Sequence, residues 1–259
     1  MTEWNATAYH KVSGPQTSWG EKVLARLAVR GDELAIDAGC GSGRLTGALM
    51  ERLPRGRLIA IDRSWNMLLT ARTNLRPTYG SRAKFVHVSL PDLPFANAVD
   101  LVFSTATFHW IKDHPALFAG IFRALRSGGR LHAQCGGGPN LARAHELAGR
   151  VMHAAPFAES FTDWPGPWEF ANAEVTATRL RAAGFVDIDT NLEEAPTTLA
   201  TEVDYREFVT TVIYHPHLAR LPSAELRREF IDRVTALSSR EDPPFTLDYW
   251  RLNMAARKP

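Results

Sequence analysis

Residues 34–43 read Leu-Ala-Ile-Asp-Ala-Gly-Cys-Gly-Ser-Gly, an apolar run that breaks into three alternate glycines. Behind them Leu45, Leu49 and Leu53 recur at steps of four, a helix face that stops before Pro54. A strand that turns through such a loop into a helix has few architectures open to it. Glycine permits the tight turn and lets a ligand approach bare backbone. The same rhythm continues downstream. Residues 57–62, 84–88, 99–103 and 130–134 read as strands. Residues 66–75, ended by Pro77, and 117–125, closed by Ser127, Gly128 and Gly129, read as helices. Trp19, Val23, Leu24 and Leu27 mark a helix ahead of the first strand. Strands alternating with helices predict an α/β fold, a Rossmann-like doubly wound sheet.

The second half changes character. Residues 175–183 read as a helix capped by Gly184, 185–190 as a strand, and 247–256 as a closing strand. Between them, from 196 to 245, the signal is helical. Leu226, Phe230, Val234 and Leu237 share one face there, with Ser223 as N-cap. No Pro/Gly/Ser linker divides the 259 residues. The expectation is one domain over 1–259: an N-terminal lid and helix (1–30), a core sheet (31–195 and 247–259) and a helical cap insertion (196–246).

Charge and composition exclude several classes. The net charge is +2 and the basic residues are scattered, so no nucleic-acid surface is expected. No apolar stretch approaches the roughly 20 residues of a spanning helix, and residues 1–12 lack the apolar core of a signal peptide. A cytoplasmic protein, monomeric or homodimeric, is expected. With only Cys40 and Cys135, neither a disulfide framework nor a thiolate metal set is available, and no metal is expected.

The glycine spacing narrows the ligand. A dinucleotide loop, G-x-G-x-x-G, counted from Gly39 would need its third glycine at 44, which is Arg44; the third glycine here is Gly43. Asp37 stands just ahead of the loop, and its carboxylate would repel a pyrophosphate while suiting a cationic amino-acid moiety. Spacing and charge favour S-adenosylmethionine. Asp62 ends the next strand, where an acid about 20 residues downstream accepts ribose hydroxyls.

Residues 34–43 resemble motif I of the class I S-adenosylmethionine-dependent methyltransferases. Four further blocks follow in the order that this family shows: 60–67 (Ala-Ile-Asp-Arg-Ser-Trp-Asn-Met), 92–95 (Asp-Leu-Pro-Phe), 100–104 (Asp-Leu-Val-Phe-Ser) and 125–131 (Leu-Arg-Ser-Gly-Gly-Arg-Leu). Residues 108–114 (Phe-His-Trp-Ile-Lys-Asp-His) are similar to the trans-aconitate methyltransferase-like branch. The resemblance covers residues 20–135 well and the remainder loosely. It implies a seven-stranded sheet with an antiparallel last strand, and methyl transfer from S-adenosylmethionine to a small-molecule acceptor, a carboxylate or a hydroxyl, by in-line displacement. Carried onto this chain, it places Asp37, Gly39, Cys40, Gly41 and Gly43 at the methionine part of the cofactor. Asp62, Arg63 and Met67 fall at the ribose side, and Ser104 and Thr105 at the end of the fourth strand. Ser89 and Leu90 would flank the adenine. Many relatives carry an acid there, a role left to the Ser89 hydroxyl or to Asp92.

Tyr9, Gln16 and Trp19 of the lid, with Trp110, Gln134 and Asn140 from loops on the same rim, are the candidate substrate contacts. Trp164, Trp168, Phe170, Tyr205 and Tyr214 would line or cap an apolar pocket. His109 is the candidate general base, with an ordinary pKa of about 6.5; its alternative is a structural histidine at a helix start. A carboxylate acceptor would need no base. Two other functions share these features: a non-catalytic S-adenosylmethionine-binding protein, and an NAD-dependent oxidoreductase, which Arg44 argues against.

Overall fold

A computed structural model describes residues 14–259. Tyr9, named above as a lid residue, lies outside the described residues. The described residues begin with α1 (Gly14–Arg26) and enter a sheet through β1 (Leu34–Ala38), α2 (Arg44–Glu51), β2 (Arg57–Asp62), α3 (Trp65–Tyr79) and β3 (Ala83–His87). It continues through β4 (Val99–Thr105), α4 (His114–Ala124), β5 (Leu125–Gly136), α5 (Ala142–Met152), α6 (Ala173–Ala182) and β6 (Val186–Glu194). After β7 (Thr197–Thr198) come α7 (Glu202–Phe208), a π-turn over Val209–Ile213, α8 (His215–Leu218), α9 (Ala224–Ser238) and β8 (Thr246–Leu247); β9 (Trp250–Arg257) closes the sheet.

The seven strands run in the order β3-β2-β1-β4-β5-β9-β6. β9 is antiparallel to both its neighbours, as expected of a last strand. β1 and β4 are buried on both faces, which is why they read as continuous apolar runs. The strand order reverses between β1 and β4, so their C-terminal ends open a crevice at the switch point.

Three local departures from the sequence reading have physical causes. Helix α3 passes through Pro77 to Tyr79. In the last turn a proline forfeits a single helical hydrogen bond, and Gly80 with φ of 53° makes the stop instead. β5 starts at Leu125 because residues 126–129 loop out of register against β4. β9 starts at Trp250 because residues 246–247 pair with β7 in a separate two-stranded sheet.

Two apolar cores sandwich the sheet, and a third lies beside it. That third core contains the 196–246 stretch: Tyr205, Phe208, Tyr214, Phe230 and Val234 are buried in it. Residues of the 139–171 stretch, grouped with the sheet by sequence, pack here too. Ala144, Ala148 and Val151 of α5 join Phe157, whose ring meets Phe230 edge-on at 5.6 Å. The cap is therefore built from two chain segments that share one core, not from the insertion alone.

Candidate functional site

The loop after β1 is held from below by the neighbouring strand. The Gly39 and Cys40 N–H groups both donate to the Ile61 carbonyl, at 2.8 and 2.9 Å. Asp62 then clamps the loop from the end of β2. One carboxylate oxygen accepts from Gly41 N–H at 2.9 Å and the other from Ser64 N–H at 2.8 Å. Burial, opposed by those two N–H donors, raises the Asp62 carboxyl above its ordinary range.

The three glycines do different work. All have positive φ, at 84°, 54° and 86°. A Cβ on Gly39 would overlap the Thr107 side chain, so this position seats the loop against the segment after β4. A Cβ on Gly43 would come within 3.1 Å of Ala71 on α3, so this glycine allows two helices to pack. A Cβ on Gly41 would meet nothing within 4 Å. Gly41 alone of the three borders open space on that side.

That space is a cleft open to solvent at the switch point of the sheet. Gly39, Gly41, Asp62, Arg63, Met67, Ser89, Leu90 and Thr105 line it, and so do Gln16, His109, Trp110 and Asn140. Other expected residues do not reach the cavity wall. Asp37 is buried under the loop and accepts from the Thr46 hydroxyl at 2.6 Å; burial pushes its carboxyl up to about 7. Cys40 and Gly43 face the helix layer, and burial raises the Cys40 thiol well above its ordinary value. Ser104 turns back to donate to the Ala38 carbonyl at 2.6 Å. Gln134 donates across the sheet to Asn253 at 2.7 Å. Trp19 packs edge-on against Tyr249 at 4.8 Å and lies behind the wall. Asp92 ends a 3-10 turn and is also outside it, leaving Ser89 at the cavity.

The far end of the cavity is roofed by aromatic rings. Trp168 and Phe170 stack at 5.7 Å, with His145 stacked on both, and Trp110 meets Trp168 at 5.6 Å. Val212 and Ile213 of the π-turn complete this apolar wall. Trp164, Tyr205 and Tyr214 sit deeper, inside or against the cap core.

His109 ends up in a specific protonation state. Its Nδ1 accepts from the Gly136 N–H at 3.2 Å, so Nε2 carries the ring proton. Burial first, then the nearby Arg251 charge, hold its pKa well below 6.5. A neutral ring whose acceptor nitrogen is already used can donate a hydrogen bond but is poorly placed to take a proton. His114 fixes the turn that carries it: its Nε2 meets the Phe108 carbonyl at 3.1 Å, and its Nδ1 meets Arg179 at 2.9 Å.

Sequence reasoning missed Tyr249 and Arg251, which line the cavity from the start of β9. Arg251 is only 3% exposed, and its guanidinium lies 4.6 Å from the centre of the Trp19 ring. A buried arginine in a closing strand was the one available signal, but burial is set by a strand pairing distant in sequence. Among the described residues no group of His, Cys, Asp or Glu is arranged to hold a metal, and no helix is long and apolar enough to cross a membrane.

The cavity suits S-adenosylmethionine on two counts. Gly41 offers backbone where a side chain would intrude, and the Gln16 Oε1 is a buried acceptor with no hydrogen-bond partner among the described residues. Comparison with known proteins points the same way. The family model described as a methyltransferase domain matches residues 35–129. Trans-aconitate 2-methyltransferase of an Azoarcus species is 30% identical over 191 residues, 73% of this chain and 68% of that protein. The enzyme of the same name from Methylobacterium nodulans is 29% identical over 275 residues, 100% of this chain and 99% of its own. Among solved structures, the phosphoethanolamine N-methyltransferase 2 of Haemonchus contortus, with phosphomonomethylethanolamine and S-adenosylhomocysteine, superposes with a TM-score of 0.63. That match is 20% identical and covers 98% of this chain and 57% of that one.

Proposed function

The chain belongs to the class I S-adenosylmethionine-dependent methyltransferases, in their trans-aconitate methyltransferase-like branch, and from this we propose that it methylates a carboxylate oxygen of a small organic acid. The observation that carries the proposal is the polarity of the cavity's far end. Among its aromatic and aliphatic groups stand His109, Asn140, the hydroxyls of Thr107 and Tyr249, and the buried Arg251, a set with no carboxylate that suits an anion and not an amine. The names of the relatives add trans-aconitate as the first acid to try.

S-Adenosylmethionine supplies a methyl group on a sulfonium; the carbon–sulfur bond breaks with its electron pair staying on sulfur as a carbon–oxygen bond forms. In this reading the backbone at Gly39 and Gly41 and the Gln16 amide oxygen hold the amino-acid end of the cofactor. Asp62 accepts from its ribose, and Met67, Ser89 and Leu90 flank its base. Asp37, which supports the loop through Thr46, acts from beneath the cavity. The chain works as one methyltransferase domain with its cap over the acceptor. Trp110, Trp168, Phe170, Val212 and Ile213 exclude water from the acceptor end. Desolvation favours a step in which an anion and a cation neutralise each other.

A carboxylate loses no proton when it is methylated, so no base is required, in keeping with a neutral His109 whose Nδ1 is occupied. Holding two reactants in line and dry supplies the acceleration, worth about 7–11 kcal/mol in well-oriented systems. The test is S-adenosylhomocysteine release with trans-aconitate, tricarballylate, glutarate, benzoate, catechol and benzylamine, with labelled methyl products treated with alkali. A methyl ester releases methanol under alkali. Label that survives, or turnover only with catechol or benzylamine, would defeat the carboxylate assignment.

A further inference from the structure

Resting on the carboxylate reading above, we propose that Arg251 selects the acceptor by clamping an acid group other than the one that receives the methyl. The residue lies on β9, outside every methyltransferase motif in the sequence, and combines burial with a place in the cavity wall. The Trp19 ring at 4.6 Å braces the guanidinium from the α1 side, which fixes a long side chain that would otherwise pay to be ordered.

Two neighbours in the wall make this end a set of donors. The Asn140 Oδ1 already accepts from the Trp250 N–H at 2.9 Å, which leaves its amide nitrogen to donate. The His109 Nδ1 is engaged by Gly136, which leaves its Nε2–H. Among the described residues of the wall the one carboxylate is Asp62, committed to the loop at the cofactor end. A ligand group that only accepts and carries negative charge fits Arg251, Asn140 and His109 together.

Which acid group goes there follows from the charge balance of the reaction. The attacking carboxylate is negative before transfer and neutral afterwards. A guanidinium bound to it would stabilise the ground state more than the transition state, and so would slow the step. The clamp therefore belongs on an acid group that keeps its charge throughout. Arg251 then acts on specificity and positioning, and its effect should fall on KM for the acceptor.

The experiment compares each acid turned over in the panel above, tricarballylate and glutarate among them, with monoamides in which one acid group is replaced by a carboxamide. Wild type should prefer the polyacid by roughly 100-fold in kcat/KM. Arg251→Gln should lose that preference to within about 3-fold, mostly through KM, and Arg251→Lys should keep part of it. Binding of S-adenosylhomocysteine to each variant, followed by calorimetry, should stay close to wild type and reports that the fold and the cofactor end are intact. If Arg251→Gln does not fold, the wild-type preference and the Arg251→Lys ratio decide. A wild type indifferent to the second acid group overturns the inference, as does an Arg251 variant that binds S-adenosylhomocysteine normally and keeps the full preference. Turnover of no acid at all would instead defeat the carboxylate reading on which this rests.

Discussion

The two ends of the cavity are built from different materials. The end bordered by β1 and β2 is mostly backbone: glycines at positive φ, N–H groups tied to the Ile61 carbonyl, and one carboxylate holding two more. The other end is side chain, drawn from the segment after β4, the two cap segments and β9, and its packing is aromatic. A backbone site is fixed by local sequence, because only glycine tolerates the required dihedrals and approaches. A side-chain site can be assembled from any residues that the topology brings together. One end therefore tolerates little change, whereas the other can be respecified one residue at a time.

The largest effect on ligand binding should come from Gly39→Ala. It combines positive φ with overlap at Thr107, so the loop cannot keep both its turn and its seat on the segment after β4. We expect S-adenosylhomocysteine affinity to fall by more than about 100-fold and stability by about 2–4 kcal/mol. Gly41→Ala sharpens the contrast: with open space at its Cβ, it should cost only about 1 kcal/mol in stability while still weakening the ligand. Equal losses in both variants by calorimetry and denaturant melts would break the division of labour among the glycines.

The same contrast explains what could be read in the sequence. The loop, the acid at 62 and the strand–helix rhythm were legible because each depends on neighbours within a few residues. Even there, the pattern did not say which members face the ligand. Cys40, Gly43 and Asp37 belong to the motif but lie under or behind it, since their surroundings come from α2 and α3. At the acceptor end almost nothing was local. Trp19 and Gln134 were expected at the substrate and prove to brace Tyr249 and Asn253, both near or on a strand more than a hundred residues away. Arg251, an arginine in a closing strand, gained meaning only from the pairing of β9 between β5 and β6, which buries it. His109 was found, but its role depends on a hydrogen bond from Gly136 that spacing cannot show.

A second large effect should separate the two ends. Phe230 is fully buried in the cap core, against Phe157 and Tyr214. Phe230→Ala should cost about 3–5 kcal/mol of stability. Because that core does not include the glycine loop, acceptor KM should rise well before S-adenosylhomocysteine affinity changes. Parallel losses in acceptor kinetics and cofactor calorimetry, measured where the variant is still folded, would mean that the cap and the loop behave as one unit.

Asp62→Ala tests the reverse case, with a smaller effect. It removes the proposed ribose acceptor and also strands the Gly41 and Ser64 N–H groups. Affinity for S-adenosylhomocysteine should fall by roughly 10–100-fold, with about 1–3 kcal/mol lost in stability. Asp62→Asn keeps one acceptor oxygen and should recover part of both. Unchanged affinity in Asp62→Ala by calorimetry would remove Asp62 from the cofactor site.

The last contrast separates the ends by the sign of their pH dependence. At the cofactor end, burial raises Asp37 to about 7, above its ordinary 3.8. The folded protein then binds the extra proton between those values, so this group's contribution to stability is lost as pH rises from about 4 to 7. Behind the acceptor end, against Trp168, burial lowers His217 to about 3, beneath its ordinary 6.5, with His145 beside it also lowered. There the unfolded chain binds the extra proton, and stability is lost as pH falls from about 6.5 toward 3. Each fully expressed group contributes a slope of at most about 1.4 kcal/mol per pH unit. Denaturant melts across pH 4–6.5 should therefore show opposite changes from two variants. His217→Phe, which fills the same aromatic site, should flatten the acid-side loss. Asp37→Asn, which keeps a partner for Thr46, should steepen it. Because each variant leaves the other group in place, the difference from wild type isolates one end of the cavity at a time. Slopes that move in the same direction would show that the buried charges of the two ends do not follow the two kinds of construction.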